Sequence, residues 1–140
     1  MSRVCVFDSE VVSVGREVSE FVATHLVILF GEGVPAELAD VSVVHHSRFI
    51  DRGPVLIAGN SIELGESLFV IDEVGDAAEE NLRQLGHVVL VEGNDPILPG
   101  QVRVHGTWPA SNALQRGTTV KVLRRCDNKK GLTNDGKSIA

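Results

Sequence analysis

The chain has 140 residues, 43% of them apolar, enough for the core of a single domain. Its net charge of -6 argues against a nucleic-acid footprint, and no apolar run approaches the ~20 residues of a membrane-spanning helix. Only 4% of residues are aromatic and Tyr is absent, so Val, Leu, Ile and Ala must fill the core, which leans toward strands. The opening Met1-Ser2-Arg3-Val4-Cys5 meets a charge too early for a secretory signal, so a cytoplasmic location is expected. Cys5 and Cys126 have no CxxC spacing and read as two unpaired thiols.

In chain order, residues 3–14 predict a first strand or strand pair, broken near Asp8-Ser9 and ended by Gly15. Residues 16–23 suit a short amphipathic helix with Val18, Phe21 and Val22 on one face. The run 26–30 (LVILF) is a buried strand, Gly31-Glu32-Gly33 a turn, and Pro35 opens a single helical turn to Asp40. The next stretch, 41–47 (VSVVHHS), reads as a buried strand that ends in two histidines. Residues 48–53 form a loop, followed by Val55-Leu56-Ile57. Residues 60–73 make a hairpin turning at Gly65-Glu66. The strongest helix follows, with Asp76 as N-cap, Glu79 as its capping-box partner, Leu82 and Leu85 as the buried stripe and Gly86 as a left-handed stop. Strands are expected at 87–91, 101–105 and 119–123.

Many short strands that do not alternate regularly with helices exclude a doubly wound parallel sheet. The expected fold is mainly β, a small closed or partly open β-barrel with one or two short helices. Residues 1–125 form one domain, with no visible internal repeat, and residues 126–140 a polar tail expected to be disordered.

The sequence contains no GxxxxGK[ST], no GxGxxG after a first strand and no HExxH, so nothing points to a nucleotide or a zincin-type metal. Five histidines remain: His25, His45, His46, His87 and His105. Side chains alternate faces along a strand, so His45 shares a face with Val41 and Val43 while His46 takes the wetter one. His87 shares a face with Val89 and Val91. His25 and His105 read as surface residues. A lone histidine beside an apolar strand is most often a hydrogen-bonded core residue. Two active readings stand against that one. In the first, a sheltered neutral His45 is a nucleophile that carries a phosphoryl group received from another protein, with His46, His87 and Ser47 as candidate donors to its oxygens. In the second, His45, His46, His87 and Glu32 bind a metal, although adjacent strand histidines diverge.

Four blocks then resemble a known family, the glucitol/sorbitol-specific IIA component of the bacterial sugar phosphotransferase system. They are 26–38 (LVILFGEGVPAEL), 41–45 (VSVVH), 74–90 (VGDAAEENLRQLGHVVL) and 98–106 (LPGQVRVHG), in matching order and spacing. The resemblance implies a cytoplasmic β-barrel-like domain that takes a phosphoryl group from the histidine-containing phosphocarrier protein onto one histidine. It implies transfer onward to the cysteine of the IIB component of a hexitol transporter whose membrane part is the IIC component. The family's phosphorylated histidine falls on His45, and His87, which closes ENLRQLGH, is inferred to assist. Some relatives carry a second histidine where this chain has Ser47, so none is assigned there; His46 becomes the carrier only if the register slips by one. No cofactor, metal or nucleic acid is implied, and a homo-oligomer is possible. The other readings are a non-catalytic β-barrel binding or regulatory module and a metal-dependent hydrolase.

Overall fold

The computed structural model describes residues 3–110 and 112–126, so the expected tail lies, apart from Cys126, outside the described residues. Eight strands and three short helices follow one another as β1 (Arg3–Val14), α1 (Val18–Ala23), β2 (Leu26–Gly31), α2 (Ala36–Ala39), β3 (Ser42–Ile50), β4 (Ser61–Leu64), β5 (Ser67–Val74), α3 (Ala78–Leu85), β6 (Val88–Val91), β7 (Gln101–Gly106) and β8 (Thr119–Arg125). The strands close into a barrel in the order β1-β3-β2-β6-β7-β5-β4-β8. Closure pairs every edge, which is how strands this short become stable. Val11, Val43, Phe69, Leu90, Val102 and Val104 are fully buried in its interior. No helix among the described residues is long and apolar enough to cross a membrane.

The expected break at Asp8-Ser9 is instead a register shift within one continuous strand, paired with β3 on one side and β8 on the other. β3 likewise does not stop at its histidines. It runs to Ile50 because Ser47, Phe49 and Ile50 pair with β1, and Arg48, at the register shift, reaches across to Asp8 at 2.9 Å and Glu10 at 3.0 Å.

Pairing reveals a repeat that the sequence hides. β1 pairs antiparallel with β3 and β3 parallel with β2; β5 pairs antiparallel with β7 and β7 parallel with β6. Val11 faces His45 as Ile71 faces Val104, and Ser9 faces Ser47 as Phe69 faces Gly106. Both β1 and β5 shift register just beyond, at Val11/Ser13 and Ile71/Glu73. Loop bonds repeat as well: Gly15 N donates to Ser42 O and Glu17 N to Asp40 O, as Gly75 N does to Gln101 O and Ala77 N to Pro99 O. The two units meet where β2 pairs antiparallel with β6, and β4 and β8 complete the wall opposite. The core keeps its geometry through exchanges such as Val22 for Leu82, so identity at matched positions is low and the repeat is lost to the eye.

In α3 the apolar side chains Ala78 and Leu82, one turn apart, are buried. Leu85, expected beside Leu82, is half exposed. The capping box also fails to form: the helix starts at Ala78 after Ala77, with no side-chain cap. Glu79 is used elsewhere. Its carboxylate accepts from the backbone N–H of Val55 at 3.0 Å and of Leu56 at 2.8 Å, and from Arg83. Arg83 in turn donates to the carbonyls of Asp51 and Gly53. This pair thus ties the 51–57 segment, which belongs to no strand, to the helix. Glu79→Ala strands two sheltered N–H groups and is expected to cost about 2 kcal/mol of unfolding free energy in urea titration, with Glu79→Gln recovering part of it.

Candidate active site

β3 starts buried and ends wet. Ser42, Val43, Val44 and His45 are buried, and the four residues after them are exposed. His45 is 1% exposed, its ring in a T-shaped contact with that of Phe7, centroids 5.9 Å apart. Above it lies a groove of about 350 Å³ whose walls include Phe30, Glu32, His46, Ile50, Leu85 and Gly86. Leu85 therefore serves the rim of this groove and not the core.

Two glycines make the approach possible. Gly86 ends α3 with φ 67, the left-handed stop the sequence predicts. A Cβ there would stand 2.8 Å from Cα and N of Gly31 and 3.3 Å from His45 Nε2; a Cβ on Gly31 would stand 2.6 Å from Leu85 O. The end of α3 consequently rests backbone to backbone on the end of β2.

Both ring nitrogens of His45 are engaged. Nε2 lies 2.7 Å from Gly86 O and Nδ1 2.5 Å from Ser9 Oγ. A carbonyl only accepts, so Nε2 carries a hydrogen in this arrangement. Ser9 Oγ is also 2.9 Å from the carbonyl of His46. Burial pushes the His45 pKa below its ordinary 6.5; the bond to Gly86 and the Glu32 carboxylate oppose that shift, and His46 adds to it. A neutral imidazole under a groove can offer one lone pair to an electrophile.

His46, on the outer face as strand parity requires, donates from Nδ1 to Glu32 Oε1 at 2.6 Å. His87 does not line the groove. It precedes β6, whose buried residues are Val88 and Leu90 and not the Val89/Val91 face expected to shelter it. Its Nδ1 sits 3.1 Å from Leu29 O, and its ring lies against Phe30 with centroids 4.4 Å apart. The four side chains of the metal reading thus point to three different places, and among the described residues no group of three or more His, Cys, Asp or Glu converges to hold a metal. His25 stacks on Trp108 and His105 bonds Asp72, both away from the groove. Sequence reasoning missed Ser9 and the Gly86 carbonyl. A serine within a strand carries no signal of its own, and a carbonyl carries none at all.

Fold and site together define a small closed β-barrel with one sheltered, neutral histidine beneath a groove. Residues 6–121 match the family described as the PTS system glucitol/sorbitol-specific IIA component. The chain belongs to that family, and membership supports a phosphoryl-carrier role in the sugar phosphotransferase system. Glucitol/sorbitol-specific EIIA components of Shigella flexneri and Escherichia coli (strain K12) are each 31% identical to it over 119 residues, covering 83% of this chain and 93% of theirs. The crystal structure of a PTS system IIA component from Enterococcus faecalis V583 superposes with a TM-score of 0.67 at 22% identity, covering 84% of this chain and 99% of that one, which shows a shared fold.

The buried histidine has a thermodynamic signature. Its ring stays neutral in the folded state at a pH where the unfolded chain is already protonating it, so the unfolded state binds more protons as pH falls below 6.5. Stability is expected to drop on acidification below that value and to be unaffected by this group above it. Urea titrations between about pH 5 and pH 8 should show a shallower drop for His45→Gln than for the parent.

Proposed function

We propose that the chain is a cytoplasmic phosphoryl carrier that accepts a phosphoryl group from the histidine-containing phosphocarrier protein onto His45. It passes the group to the IIB component of a glucitol/sorbitol transporter, supporting uptake and phosphorylation of the sugar. The observation that carries this reading is the neutral, water-sheltered imidazole of His45 at the floor of an open groove in a chain of this family. The lone pair of a ring nitrogen forms the new N–P bond while the donor's nitrogen takes back the pair of the bond that breaks. A neutral ring is competent for this at a pH where an ordinary surface histidine is partly protonated.

His87 acts at one remove. Its ring backs Phe30, a wall of the groove, and its bond to Leu29 O anchors the ring to β2. It thereby holds the shape into which the donor side chain must fit. His87→Gln is expected to slow transfer several-fold while the thermal transition stays near that of the parent; an unchanged rate removes His87 from the mechanism.

The carrier role is tested by incubating the protein with phosphoenolpyruvate, the first enzyme of the system and the phosphocarrier, then recording intact mass at neutral pH. One added phosphoryl group in the parent and none in His45→Gln is the expected result. Addition to both moves the site to another histidine. Addition to neither, with a cognate phosphocarrier, leaves a barrel that binds or regulates without carrying phosphate.

A further inference from the structure

The surroundings of His45 contain one hydrogen too few, and the shortfall points to a specific residue. Ser9 Oγ is within hydrogen-bond distance of both His45 Nδ1, at 2.5 Å, and the His46 carbonyl, at 2.9 Å, and it is fully buried. A hydroxyl has one hydrogen to give, and the Gly86 carbonyl already claims the single N–H of a neutral His45 ring. In the resting ring, therefore, Ser9 spends its hydrogen on Nδ1 and the His46 carbonyl receives none from it.

Nε2 is the edge that borders the groove, because Gly86 lines the groove and Ser9 does not. Nucleophilic attack from that edge needs a lone pair on Nε2, and in the resting ring that nitrogen is occupied by the proton shared with Gly86. The proton must leave Nε2 and the ring must carry one on Nδ1 instead. A carbonyl at the Ser9 position would forbid the resting ring, and an ammonium would forbid the reacting one. A hydroxyl serves both, since it can donate or accept. When Nδ1 is protonated, it donates to Ser9 Oγ and the Ser9 hydrogen turns to the His46 carbonyl, already 2.9 Å away.

We infer that Ser9 is the positioning residue of His45, a two-way hydrogen-bond partner that accommodates both tautomers, so that exchange with water can remove the hydrogen from Nε2 and place one on Nδ1, leaving Nε2 as the phosphoryl-bearing nitrogen. This rests on the carrier reading above and adds the nitrogen, the residue that selects it and the resting state that must be undone. Nε2 supplies the pair for the N–P bond, the donor nitrogen recovers the pair of the bond that breaks, and the hydrogen on Nδ1 remains shared with Ser9. In the phosphorylated state that same hydrogen makes the imidazole a better leaving group, so Ser9 also favours transfer onward. The repeated half of the barrel marks the device as particular to this site: the positions matching Ser9 and His45 there are Phe69 and Val104.

The test reads the ring nitrogens of His45 by multiple-bond 1H–15N spectra in the full chain, before and after phosphorylation. Phosphoramidate is used as a small-molecule donor, in parallel with the phosphocarrier. In the parent, hydrogen on Nε2 at rest, and phosphorus on Nε2 with hydrogen on Nδ1 afterwards, is the expected result. In Ser9→Ala the phosphorylated ring should lose its Nδ1 hydrogen about one pH unit lower, and the upper limb of the transfer-rate profile should move down with it, transfer near neutral pH falling about tenfold. Ser9→Thr, which keeps the hydroxyl on a strand, should restore both. Phosphorus on Nδ1, a resting hydrogen on Nδ1, or a Ser9→Ala ring that titrates like the parent's would overturn the inference. If phosphoramidate gives the expected ring states but the phosphocarrier transfers nothing, the carrier reading fails and the role of Ser9 stands. If His45 accepts phosphorus from neither donor, both fall.

Discussion

The close contact between Gly31 and Gly86 is the constraint on which the site depends. Without side chains at either position, the end of α3 lies on the end of β2, and the Gly86 carbonyl comes within 2.7 Å of His45 Nε2. That single placement has three consequences. It helps bury the imidazole, whose burial outweighs the opposing effect of the Gly86 bond on its pKa, it occupies the nitrogen that borders the groove, and it turns Leu85 outward to form the rim. Burial alone would have made His45 an inert core residue. Burial beside a helix end leaves its groove-side nitrogen bonded to one carbonyl, the state from which the proposed transfer would start.

The barrel supplies the rigidity this requires. Register between β1 and β3 brings Ser9 and His45 together from positions far apart in sequence, and the β2–β3 pairing sets Gly31 opposite His45. A slip of one residue in either pairing would send His45 outward and His46 inward. Closure of the sheet, with every strand paired on both edges, opposes such a slip because no strand can move alone. The near-equivalence of the two halves gives a built-in comparison: the same framework encloses a polar pair in one unit and Phe69 with Val104 in the other, so the framework does not require the histidine.

Charged side chains also serve structure, Arg83 among them although it lines the groove. Glu79 and Arg83 fasten the 51–57 segment, and Arg48 joins β3 to Asp8 and Glu10. His46 and Glu32 form an exposed pair at the groove's edge, where solvent weakens their attraction.

Much of this was legible in the sequence by itself. Alternation along 41–47 placed His45 on the inner face and His46 on the outer one, because strand parity depends only on local backbone geometry. Gly86 announced the end of a helix for the same local reason, and the four family blocks pointed to His45. The abundance of short Val- and Ile-rich segments determined a barrel. Only the tertiary structure decided where those segments pair, and with that the rest followed. Glu79 left its expected capping role because Val55 and Leu56 presented N–H groups that no strand satisfies. His87 lay against Phe30 instead of facing the groove, since β6 begins one residue later and buries the opposite parity. Ser9 reached His45 through a register that joins residues distant in the chain, and no local pattern encodes that.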